Sequence, residues 1–99
     1  MNTERTNLFL MANLGSEFAQ LFMFLRTQCH TLAEHAGLRA KKILEELRGR
    51  PDMGPRKVEV DMLTLIIDDV LLVNRTLEIT ESQMENYFQP FALRFFAQR

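Results

Sequence analysis

The sequence predicts an all-α fold, a small bundle of about four helices. Three observations carry that expectation. From Phe18 the apolar positions run 18, 22, 25, 29, 32, 36, 40, 43 and 47, always in steps of three or four, which is one stripe on a helix. Thr80 and Gln83 form a capping box, with Ile79 and Met84 as its hydrophobic staple, and so mark a helix starting near Glu81. The four glycines and three prolines are placed as punctuation, and only residues 49–55 read as a convincing loop.

Taken in order, Thr3 caps a short first helix with Leu8, Met11 and Leu14 on one side. Gly15 and Ser16 read as a break and a new cap. A long second helix then covers residues 17–48, about 48 Å at roughly 1.5 Å per residue. Gly49 is its stop, with Arg48 near the negative end of the helix dipole. Gly54 and Pro55 open a third helix, since proline suits a first helical position. Over 58–79, Leu63, Ile66, Val70, Val73 and Leu77 make one stripe, and Ile67 and Leu71 widen it. This helix is apolar nearly all round, as a central helix in a bundle or dimer is. Strand is the rival for this segment, which is rich in Val, Ile and Thr and alternates over 76–80. The fourth helix carries Met84, Tyr87, Phe88, Phe91 and Phe95 in phase, and Pro90 inside it predicts a kink.

A single domain over 1–99 follows, with helical halves 3–48 and 55–97 joined by the loop 49–54. All eight phenylalanines lie near the two ends, at 9, 18, 22, 24 and at 88, 91, 95, 96. Phe has a large apolar area to bury, so both ends must be packed, against each other or against a partner. A chain this short buries only about two-thirds of its unfolded surface, and dimerisation is a common way to gain more core. The expectation is a homodimer in which the aromatic ends and the third helix share a core.

Charge is uneven although the net is −1. Residues 37–57 hold seven Lys and Arg against three acids, and residues 58–99 hold three against seven. The favoured reading is that the two halves complement each other; an anionic partner for the basic stretch is the other. Cys29 is the single cysteine, so no internal disulfide is possible, which favours a reducing compartment. The first residues lack a signal-peptide layout, and the longest apolar runs are of about five residues, far below a membrane span. The expected setting is cytoplasmic, without a membrane.

The chemistry-bearing residues do not assemble into a reaction. Gly49 and Gly54 have a phosphate-loop gap, but Pro55 and Arg56 stand where Lys and Ser or Thr are needed. His30 and Glu34 share a helix face, while Cys29 and His35 point elsewhere, short of the ligands a zinc site needs. Asp68 and Asp69 diverge by about 100° on a helix and make no paired-carboxylate site; Asp69 lies nearer the apolar face. No catalytic residue, cofactor or metal is therefore expected.

Two resemblances are local. Leu32, Ala33, Ala36, Gly37, Leu38 and Ile43 make residues 31–48 resemble a helix-turn-helix, with Gly37 in the turn and Leu38 in the core. It implies DNA contacts from Arg39, Lys41 and Lys42, with Arg48 and Arg50 on phosphates. Glu46 stands where that pattern wants an apolar residue, and a continuous helix would leave Leu38 exposed or facing a partner. His30, Thr31 and Leu32, followed by Ala36 and Gly37, resemble the phosphoacceptor helix of histidine phosphotransfer domains over under a tenth of the chain. Where that family expects a lysine and a glycine three and four residues after the histidine, Ala33 and Glu34 stand.

The best-supported reading is a non-enzymatic protein-interaction module, a small regulator, anti-activator or chaperone-like homodimer offering an apolar face to a partner helix. Met23, Phe24, Leu65, Leu72, Phe91, Phe95 and Phe96 are the apolar groups hardest to bury in one monomer, and so the expected contacts. DNA binding through 31–48 is the alternative, and phosphotransfer at His30 the third.

Overall fold

A computed structural model describes residues 6–72 and 75–97. The fold is all-α: α1 (Asn7–Arg26), α2 (His30–Arg48), a 3-10 helix (Pro51–Arg56), α3 (Lys57–Val70) and α4 (Glu81–Ala97). No strand occurs among the described residues, so the described part of the 58–80 segment is helix followed by irregular chain. Thr3 and Val73, expected as a cap and as a stripe residue, lie outside the described residues.

The first helix is not short. It starts at Asn7, where the Thr6 hydroxyl accepts the amide of Phe9 at 3.0 Å, and runs through Gly15 and Ser16. Gly15 is a place of contact rather than a break: a Cβ there would lie 2.9 Å from Cβ of Phe88 on α4. The break falls at residues 27–29 instead. The Gln28 amide donates to the Leu25 carbonyl, and the Cys29 amide to the Phe24 carbonyl at 2.7 Å. Those two bonds make a Schellman turn, with Gln28 in the left-handed region at φ 63°. The usual signal for such a turn is glycine, and glutamine hides it. The 18–47 stripe is consequently folded back on itself as an α1–α2 hairpin. Cys29 and Leu32, at its bend, are exposed rather than core.

Leu10, Leu14, Phe18 and Leu21 of α1 are buried against Ala33, Ala36, Ala40, Leu44 and Leu47 of α2. The alanines and Gly37 keep one face of α2 thin; a Cβ at 37 would meet Leu71 and Ile67 at 3.1 and 3.2 Å. α1 packs closely on both α2 and α4, and α2 packs on α3. The aromatic ends meet within one chain: Phe18 and Phe88 lie 5.2 Å apart, and Phe9 and Phe95 5.6 Å, centroid to centroid.

The long α1 also has the length and composition of a membrane-crossing helix, with mean hydropathy 1.4. Its five-residue apolar runs are separated by too few polar residues to lower that mean. In this fold its apolar side supplies core.

The third helix ends at Val70, not at residue 79. Asp69 explains the stop. It is buried, and its Oδ1 accepts the Thr76 amide at 2.7 Å, the Thr76 hydroxyl at 3.0 Å and the Leu77 amide at 3.1 Å. These bonds hold the chain in a non-helical return toward α4. The capping box is as the sequence predicts: the Thr80 amide donates to Gln83 at 2.8 Å, and the Gln83 amide to the Thr80 hydroxyl at 3.1 Å. α4 then passes through Pro90 without interruption, with Phe88 and Phe91 buried on either side of it.

Candidate functional site

The four helices stand in the order α4, α1, α2, α3 around the core, and α3 and α4 are not a closely packed pair. The gap between them is an open groove of about 380 Å³. α3 supplies Val58, Met62, Leu63 and Ile66 along it, α4 supplies Met84, and Ile79 comes from the return segment. Val58 is 73% exposed and Met62 50%, so these side chains border the opening. Leu63, Ile66 and Met84 are buried and continuous with the core.

One end of the groove carries a polar strap. The Tyr87 hydroxyl on α4 donates to Glu59 Oε1 on α3 at 2.5 Å, and Arg56 Nη1 donates to the same oxygen at 3.3 Å. Burial raises the Tyr87 pKa first, and the Glu59 carboxylate raises it further, so the phenol remains a donor well above neutral pH. At the other end Arg75 donates to the Ile79 carbonyl at 2.6 Å and to Asp69 at 3.5 Å, which sets Ile79 in place. Hydrogen bonds from the Thr76 amide, foremost, and from Leu77 hold the Asp69 carboxyl below its ordinary pKa, against the opposing effect of burial.

The residues singled out from the sequence are dispersed. Met23 is exposed near the end of α1 and Phe24 is half-buried against the core. Leu65 is exposed on α3, and Leu72 is exposed just beyond the end of that helix. Phe95 is half-buried beside Phe9, and Phe96 is exposed near the end of α4. Phe91 is core at 7% exposure and is not available as a contact, because the helix phase turns it toward α1 and the 3-10 helix. None of these seven borders the groove. Val58 and Met62 do, and they were missed because nothing in the stripe says which flank of α3 stays uncovered.

The 31–48 segment has no turn. α2 is one helix, and Leu38 is 59% exposed rather than core. Its basic residues are mostly paired. Arg39 bonds Glu17 at 2.9 Å and Gln20 at 3.1 Å, and Lys41 pairs with Asp68. Arg48 pairs with Asp61 at 3.1 Å, and Arg50 with Glu46 at 2.9 Å. Lys41 and Arg48 join α2 to α3, which is the charge complementarity between halves that the composition suggests. Lys42 is exposed. His30 is exposed at the first position of α2. Among the described residues no three His, Cys, Asp or Glu converge as metal ligands.

Comparison of the chain with protein families, curated proteins and solved structures returns no match.

Proposed function

We propose that this chain is a non-enzymatic protein-interaction module whose α3–α4 groove receives the apolar face of a partner's amphipathic helix. The observation that carries the reading is the groove itself, an open channel with apolar walls on both helices and a core-continuous floor. Helix-in-groove recognition needs such a channel and a few anchoring side chains from the partner. Met62 and Met84 line it, and unbranched thioether side chains adapt to differently shaped anchors. Glu59 is the one carboxylate among the groove's lining residues, so a cation on the partner helix is expected beside it. In the same reading the module works as a homodimer, with the exposed Leu65 and Leu72 as contacts between copies.

The test is fluorescence anisotropy with a labelled amphipathic Leu/Lys peptide. Wild type and Leu93→Asp, a change at an exposed α4 position outside the groove lining, are expected to bind it, and Met62→Asp to lose it. Equal binding by Met62→Asp, or no binding by wild type, overturns the reading. Sedimentation of the same proteins separates the two occupants. A dimer that Met62→Asp dissociates would assign the groove to a second copy of the chain.

A further inference from the structure

A second cavity, of about 190 Å³, lies where α1, the 3-10 helix and α4 meet. Its chemistry differs from that of the groove. Leu8, Met11 and Met53 give it apolar walls, and Arg56 and Arg94 bring two guanidiniums to one aromatic ring. Their central carbons lie 4.9 and 5.9 Å from the centroid of Phe91. Arg56 has Glu59 as an ion-pair partner. Arg94 has the ring, and among the described residues no carboxylate lies within ion-pair distance of it. Two like charges held on one ring repel each other, and an anion between them relieves that repulsion.

We propose that this cavity binds a carboxylate carried on a small apolar body, with the carboxylate at Arg94 and Arg56 and the body against Leu8, Met11 and Met53. Arg56 is already paired with Glu59, so Arg94 is the cation left for an anion, and Asp52, which also lines the cavity, disfavours a second negative charge there. One carboxylate matches that single cation, whereas a dianionic phosphate would overshoot it and meet Asp52. The guanidinium fork matches a carboxylate's two oxygens. The volume is below the roughly 300 Å³ at which drug-sized sites begin, so the body is the size of one large side chain. Two sources carry this chemistry: a free short-chain acid and the C-terminal residue of a peptide.

The experiment is an amide NMR titration of the full chain with 3-phenylpropionate and with its primary amide. A parallel pair uses an acetylated dipeptide ending in Leu, with a free or an amidated terminus. Shifts near residues 8, 53 and 94 are expected with an acid and not with its amide. Arg94→Gln should weaken binding roughly tenfold or more, the usual loss when a charged hydrogen-bond partner goes. Asp52→Asn should tighten it. Both residues are exposed, so both variants keep the fold, and unchanged signals elsewhere check this. Binding of the dipeptide alone assigns the site to a peptide terminus, and binding of the free acid alone to a small molecule; either supports the site. Equal responses to acid and amide, an Arg94→Gln response like wild type, or no response to any probe overturns it.

Discussion

Helix α4 has two seams, and they are built differently. Against α1 it is shut. Gly15 lets the backbone of α1 come up to Phe88, and Phe18 and Phe9 pack on Phe88 and Phe95. Against α3 it is open, crossed at one end by the Tyr87–Glu59 hydrogen bond and lined elsewhere by Val58, Met62 and Ile79. The contrast shows how one helix can serve both purposes. A small residue facing a large ring closes a seam, because ring and backbone interlock. Two rows of medium-sized side chains without a small partner leave space between them, and that space is apolar enough to hold something else.

The comparison can be broken most forcefully on the closed side. Phe18→Ala empties the centre of the α1–α4 seam and is expected to cost about 3–5 kcal/mol in urea unfolding, a large part of what a domain this size has. Asp69→Asn is expected to lower the urea midpoint at neutral pH by weakening the return that delivers Ile79 to the groove. The sign with pH follows from the depressed carboxyl pKa in the fold. The contribution of the charged carboxylate is complete above the ordinary carboxyl value of about 3.9. It is lost as pH falls through the lower folded-state value. The gap between wild type and Asp69→Asn should therefore close only in strong acid.

Two glycines sharpen the comparison. At Gly15 a new Cβ meets the Cβ and Cγ of Phe88, atoms near the backbone that cannot swing aside. Gly15→Ala is expected to destabilise by about 1–2 kcal/mol even after the gain in helix propensity. At Gly37 the nearest atoms are the Cδ1 methyl of Leu71 at 3.1 Å and the branch methyl of buried Ile67 at 3.2 Å, which must give by only a few tenths of an ångström. Gly37→Ala is expected to be close to neutral in the same urea unfolding. Gln28→Gly relieves a left-handed side chain and should raise stability by about 1 kcal/mol. The smallest effect belongs to the open seam. Met62→Asp should leave the unfolding free energy within about 0.5 kcal/mol of wild type, because the side chain is half in water. Its binding phenotype can then be read without a stability correction.

Much of the fold was legible. The capping box at Thr80 and Gln83 involves only neighbours in the chain, and its bonds form as the residue types require. The buried positions Ala36, Ala40, Ile43 and Leu47 of α2 and Leu63, Ile66 and Val70 of α3 were legible for the same reason. Three features were not. The α1–α2 bend rests on glutamine doing a glycine's work at position 28. The end of α3 rests on Asp69 reaching seven and eight residues ahead, a distance that no helical pattern encodes. Gly15 looks like a break in sequence and is a contact in space. Of the candidate site, the apolar surplus on α3 was legible and its location was not: Leu65 and Leu72 stood out, whereas Val58 and Met62 border the groove.

The sequence by itself determined the helical class, the start of α4, the need to bury both aromatic ends and the surplus of apolar surface on α3. Periodicity, capping chemistry and composition are local properties, and they act wherever the chain goes. Only the tertiary structure decided that the aromatic ends close on each other and that Lys41 and Arg48 are occupied by Asp68 and Asp61. It alone decided which flank of α3 is left uncovered. Those outcomes depend on which helices become neighbours, and neighbours are set by the fit of side chains far apart in the chain.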